Sequence, residues 1–162
     1  VPFEMKGNWN RDFFKNDHPI CQKGQPFKGN VEGCDPRYSF RWIGKSNTVY
    51  VFEAPIDMLS FISMYQKGWM DHSYVALCGV AEHALMQLLN DAPHISQIAL
   101  CLDHDKAGIQ ARERIKKNLS ERGYHMVFSL FSNLKDWNED LQELKKPPPE
   151  YMNRQQTVIQ MM

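Results

Sequence analysis

From residue 48 onward two kinds of segment alternate in this chain: short apolar runs rich in Val, Ile and Leu, and longer stretches whose apolar residues recur every three or four positions. That alternation predicts an α/β layered domain on a parallel sheet, because parallel neighbours require a crossover long enough to hold a helix. Val49 to Phe52 predict a first strand. Pro55, pre-set for an opening helical turn, begins a helix in which Met58, Leu59, Ile62 and Tyr65 recur at helical spacing until Gly68. Ser73 to Cys78 predict a second strand and Gly79 its turn, with Ala81, Ala84, Leu85, Leu88 and Leu89 on one helical face before Pro93. Ile98 to Leu102 predict a third strand, followed by a helix from about Lys106 to Arg122 with Ala111, Ile115 and Leu119 inward and Gly123 at its end. Met126 to Phe131 predict a fourth strand, and Lys135 to Lys146 a loop and a short last helix.

The flanks read differently. Residues 1–47 are punctuated by Gly7, Gly24, Gly29, Gly33 and Gly44, and Tyr38-Ser-Phe40-Arg-Trp42 alternates as a strand does, which predicts a small β-rich N-terminal extension on the sheet edge. Residues 48–146 form the main domain, and residues 147–162, opened by Pro147, Pro148 and Pro149, a Pro-rich linker and tail. No apolar run approaches the roughly 20 residues of a membrane span, and no signal-peptide series stands at the start, so the cytoplasm is the expected compartment.

Three acidic stretches stand at the ends of strand-like runs: Glu53-Ala-Pro-Ile-Asp57, Asp103-His-Asp105, and Lys135-Asp136-Trp-Asn138-Glu139-Asp140. In open parallel sheets, ligand-handling side chains gather beyond the carboxyl ends of the strands. Crowded carboxylates raise one another's pKa, so their convergence makes physical sense when a cation sits among them. Asp103 and Asp105 alternate on an extended segment and so face one side, whereas His104 faces away in a structural or solvent role. Asp57 in a first helical turn serves either a metal or the helix dipole. Asp136 is either a metal or phosphate contact or, like Asn138, an N-cap, and Lys135 beside it is placed to meet a phosphate.

The chain carries 19 Lys and Arg against 19 Asp and Glu. Its first 47 residues hold eight of these bases and five acids, while residues 48–145 hold nine and thirteen. Nucleic acid held by phosphate contacts alone calls for a basic surface, so binding here needs local patches or metal ions. Two patches qualify. Arg37, Arg41 and Lys45 lie among Tyr38, Phe40 and Trp42, a mixture suited either to stacked bases and phosphates or to packing on the sheet. Arg112, Arg114, Lys116 and Lys117 read as a solvated helix face, with Arg112 the exception nearest the acidic edge. Cys21, Cys34, Cys78 and Cys101 lack zinc-finger spacing, and Cys78 and Cys101 fall in expected buried strands.

The acidic stretches, in this order, resemble the Toprim domain over about residues 45 to 145. Val51-Phe52-Glu53-Ala54-Pro55-Ile56-Asp57 resembles its glutamate motif, with Ala54 where glycine is usual, and Leu77-Cys78-Gly79 its second-strand turn. Asp103-His104-Asp105-Lys106-Ala107-Gly108 resembles the aspartate motif in its bacterial primase form. Lys135-Asp136-Trp137-Asn138 is similar to the primase Lys-Asp-Pro-Asp stretch, with Asn138 in place of an acid, which leaves Glu139 or Asp140 to supply a second carboxylate. The whole is also similar to primase-like Toprim proteins of plasmids and integrative conjugative elements.

The resemblance implies a Rossmann-like parallel sheet of about four strands and Mg²⁺- or Mn²⁺-dependent phosphodiester chemistry. Glu53, Asp103 and Asp105 would be catalytic, and Glu53, Asp57, Asp103, Asp105 and Asp136 the metal-binding set. Lys45, Arg41, Lys135 and Arg112 would meet nucleic acid or phosphate. Single-stranded DNA, nucleoside triphosphates and replication or conjugation proteins are the implied partners. A primase-like nucleotidyltransferase leads, with a Toprim nuclease or nicking accessory and a degenerate DNA-binding module as alternatives. A phosphatase or receiver domain fits less well, since the strongest acid pair follows the third strand.

Overall fold

The computed structural model describes residues 35–79 and 81–146. The glycine-punctuated extension before residue 35, with Cys21 and Cys34, and the segment opened by Pro147 lie outside the described residues.

Along the chain run β1 (Arg41–Trp42), β2 (Thr48–Phe52), α1 (Pro55–Met64), a 3-10 turn (Trp69–Asp71), β3 (Ser73–Ala76), α2 (His83–Asp91), β4 (Gln97–Leu100), α3 (Lys106–Glu121), β5 (Met126–Ser129) and α4 (Trp137–Lys145). The sheet order is β1-β3-β2-β4-β5. β2 is central, pairing in parallel with β3 (Val51 opposite Val75) and with β4 (Val51 opposite Leu100). β5 extends the parallel sheet beyond β4, and β1 caps the β3 edge antiparallel, Arg41 opposite Val75. The fold is thus the α/β layered domain that the alternating pattern predicts, its four parallel strands matching the Rossmann-like sheet that the resemblance implies, with β1 as a fifth, antiparallel strand.

Side-chain alternation sorts the core into two layers. Val49, Val51, Val75, Leu77, Ile98, Leu100 and Leu102 face Leu85, Leu88, Ile115 and Leu119 of α2 and α3. Phe52, Tyr74, Ala76, Ala99 and Cys101 face Met58 and Phe61 of α1 and Trp137 of α4. Both sheet faces are covered, which explains why these strands read as nearly unbroken apolar runs. Burying each large side chain contributes about 1.5–3 kcal/mol.

Two sequence expectations are corrected. The α1 face is set by Met58 and Phe61, while Leu59 and Tyr65 are exposed, because Asp57 and Ser60 take up part of the buried stripe against α4. β3 ends at Ala76, so Cys78 is an exposed turn residue with φ +56, followed by Gly79 at φ +134. Cys101 is buried as expected.

Candidate metal and phosphate site

Glu53 directly follows β2, and Asp103 follows β4 by three residues, so two neighbouring parallel strands deliver them to the same end of the sheet. The strand pairing continues toward them, with Cys101 N donating to Val51 O at 2.8 Å. On the other flank the Cys78-Gly79 turn donates Gly79 N to Glu53 O at 3.1 Å.

Burial pushes the Glu53 carboxyl up to about 7, helped by the negative charges of Asp103, Asp105 and Asp57 and opposed by Lys135. Asp57 is raised to about 6 by burial and by Asp103; a hydrogen bond from Asn138 N acts against the rise, Asp136 adds to it and Lys135 opposes it. These mutual influences gather Glu53, Asp57, Asp103, Asp105, Asp136 and Lys135 into one electrostatic neighbourhood. Within it, Glu53 Oε2 is buried with no hydrogen-bond partner among the described residues.

The remaining acids are engaged by backbone. Asp105 is the N-cap of α3, accepting from Gly108 N at 2.9 Å, and Asp136 is the N-cap of α4, accepting from Glu139 N at 2.8 Å. Asp57, inside the first turn of α1, accepts from Asn138 N at 3.2 Å, and Ser60 Oγ donates to Asn138 Oδ1 at 3.3 Å. Asn138, where the sequence resemblance led to the expectation of an acid, therefore ties α4 to α1. Asp140 accepts from Asn133 N and Leu134 N, both at 2.8 Å, and so holds the loop ahead of α4. Glu139 Oε2 accepts from Lys135 N at 3.3 Å.

Sequence reasoning missed what fixes the aspartate loop. A Cβ at Gly108 would lie 2.2 Å from Asp103 O, so α3 begins in contact with the Asp103 backbone and only glycine fits there. His104 N donates to Lys135 O at 2.8 Å, joining the two acidic loops, while the His104 side chain is exposed beside Phe131, as expected of a residue facing away. Trp137 Nε1 donates to Cys101 O at 3.0 Å and its ring meets Phe61 edge-on, holding α4 under the end of β4. The glycine spacing was a legible signal; the tryptophan and asparagine contacts depend on partners distant in sequence.

The four expected nucleic-acid contacts separate. Lys135 is exposed within the acidic neighbourhood. Lys45 lies at the opposite end of the sheet: the loop carrying it bonds through Gly44 N to Ser73 Oγ and through Ser46 N to Asp71 O, ahead of β3. Arg41 is buried and paired to Asp91 at 2.7 Å, so it packs rather than presenting a cation to solvent. Arg112 is buried too, its Nη2 donating to Leu102 O at 2.9 Å.

Among the described residues no group of three or more His, Cys, Asp or Glu side chains is assembled to hold a metal ion. The donor set still fits Mg²⁺, which takes hard oxygen ligands and binds through one or two carboxylates while keeping several waters. The buried, unpartnered Glu53 Oε2 is a group such a cation would satisfy.

Comparison with known proteins agrees with this architecture. An uncharacterized protein MG010 homolog of Mycoplasma pneumoniae is 31% identical over 96 residues, which cover 59% of this chain and 43% of that protein. The uncharacterized protein MG010 of Mycoplasma genitalium is 30% identical over 97 residues, covering 59% and 42%. The chain thus spans less than half the length of these curated relatives. The primase fragment of the bacteriophage T7 primase-helicase protein shares the fold, with a TM-score of 0.51 and 24% identity over 63% of this chain and 41% of that one. The Toprim-like family model matches residues 50–141, from the middle of β2 into α4, and the chain belongs to that family.

Proposed function

We propose that this chain is a primase-like Toprim domain that performs Mg²⁺- or Mn²⁺-dependent nucleotidyl transfer on single-stranded DNA, using nucleoside triphosphates, in the replication or transfer of a mobile element. The reading rests on one observation: Glu53 and Asp103 leave adjacent parallel strands at the same sheet end, with a buried Glu53 oxygen that no group among the described residues satisfies. Asp103 and Glu53 would hold the cation, with Asp105, Asp57 and Asp136 around them. A divalent ion so held supplies a Lewis acid for a phosphoryl oxygen. Glu53 would act either as a ligand or, where no cation charges it, as the general acid or base, its metal-free carboxyl being raised to about 7. Lys135 offers the exposed positive charge for a triphosphate or the template backbone.

The test is template-dependent ribonucleotide incorporation with Mn²⁺, run on wild type, Glu53→Gln and Asp103→Asn. A loss of at least about 100-fold in both variants is expected, the scale of removing a positioned acid-base or charge-stabilising group. Undiminished synthesis in the variants would defeat the proposal. A second reading is favoured by the backbone engagement of Asp57, Asp105 and Asp136: a DNA-binding Toprim module without catalysis. Its mark is DNA binding with neither incorporation nor a thermal shift at millimolar Mg²⁺. Cleavage of labelled DNA without nucleotides would instead identify a nuclease.

A further inference from the structure

Arg112 is a buried cation, 3% exposed, with no carboxylate paired to it among the described residues. Burying a guanidinium without a counter-ion is costly, so what it touches matters. Nη2 donates to Leu102 O at 2.9 Å and approaches Asp103 O at 3.5 Å, a long contact. Its Cζ lies 4.4 Å from the centroid of Phe131, whose ring also neighbours His104 at 5.3 Å. The guanidinium plane thus rests on an aromatic face while its edge reaches the carbonyls at the start of the aspartate loop. A lysine ammonium has no planar fork with which to do both. Opposite it, Gly108 abuts Asp103 O, leaving that carbonyl between α3 and the guanidinium.

From this geometry we infer that Arg112 is a positioning residue: it holds the Leu102–Asp103 backbone, and through it sets the direction in which the Asp103 carboxylate is offered to a divalent cation. The cation half of this inference rests on the proposed function; the backbone clamp does not. On this inference Arg112 acts through the backbone it holds, in place of the phosphate role expected of it from sequence.

The test uses the full chain with Arg112→Lys, Arg112→Gln and, as a control that weakens α3 without touching the loop, Leu119→Ala. Two quantities are measured: the Mn²⁺ dissociation constant from the paramagnetic signal of free Mn²⁺, and amide hydrogen exchange at His104 and Gly108. Both Arg112 variants are expected to bind Mn²⁺ about 10–100-fold more weakly, the usual effect of removing a residue that orients a ligand, with exchange at the two amides faster by about tenfold. Leu119→Ala is expected to leave Mn²⁺ affinity within about twofold while lowering stability. Arg112→Lys matching wild type in both measurements, or Leu119→Ala weakening Mn²⁺ as much as Arg112→Gln, overturns the inference. Should wild type bind no Mn²⁺, the proposed function fails, and exchange alone decides the clamp: rates in Arg112→Gln no faster than in Leu119→Ala refute it.

Discussion

At the scale of single residues, Glu53 and Asp140 show opposite uses of a carboxylate. Glu53 titrates at about 7 in the fold against an ordinary value of 4.5, because burial and acidic neighbours disfavour its charge. The native state therefore binds more protons than the unfolded chain across that window, so metal-free stability falls as pH rises from about 4.5 to about 7. Asp57, raised from 3.8 to about 6, acts in the same direction lower down. Solvent screening of the partly exposed Glu53 reduces its share to on the order of 1 kcal/mol. Urea titrations at pH 5 and 8 are expected to show Glu53→Gln more stable than wild type at pH 8, with the difference vanishing at pH 5. Equal pH slopes would show that Glu53 does not carry this effect. Asp140 accepts two backbone amides, so Asp140→Ala strands Asn133 N and Leu134 N and is expected to cost about 2–3 kcal/mol in the same assay. Both acids stand in acidic stretches and look alike in sequence. Which one meets loop amides and which one is left with a buried oxygen depends on chain geometry that residue type does not encode.

Elements were more legible than contacts. The spacing of Ala84, Leu85, Leu88 and Leu89, and of Ala111, Ile115 and Leu119, predicted the α2 and α3 faces that are buried against one side of the sheet. The strand runs were also readable, because two-sided burial leaves little room for polar interruption. The α1 face was misread, since its burial is shared with polar groups: Asp57 and Ser60 meet Asn138, some 80 positions later, and no local period reports such a join. The grouping of Glu53 with Asp103 was expected from strand ends alone and the capping of α4 by Asp136 was one of the roles its sequence context offered, while the capping of α3 by Asp105 required the actual turn geometry. Gly108→Ala tests the packing at the α3 start. Alanine ordinarily favours a helix, yet here its Cβ would fall 2.2 Å from Asp103 O, so a loss of about 1–3 kcal/mol is expected by thermal unfolding. A gain in stability would mean that the loop yields freely and that the close approach is not a constraint.

For the whole molecule, 19 basic and 19 acidic residues leave no net charge, and the candidate site collects carboxylates around the exposed Lys135. Arg41 and Arg112 are buried and Lys45 lies at the far end of the sheet, so of the four cations expected to meet DNA Lys135 alone is exposed among the acids. The sequence left open whether Arg41 and its aromatic neighbours would meet bases and phosphates or pack on the sheet, and Arg41 packs. Single-stranded DNA is accordingly expected to bind weakly without divalent ions and at least about tenfold more tightly with millimolar Mg²⁺, as measured by fluorescence anisotropy. Tight binding that ignores Mg²⁺ and weakens steeply with NaCl would point to a basic surface elsewhere in the chain. The central place of β2 has a further consequence during biosynthesis. β2 emerges from the ribosome before β3 and β4, so Glu53 meets Asp103 only after the chain has travelled through two helices and come back to the middle of the sheet. A nascent polypeptide halted ahead of β4 would display a bare strand flank and half of the acidic pair.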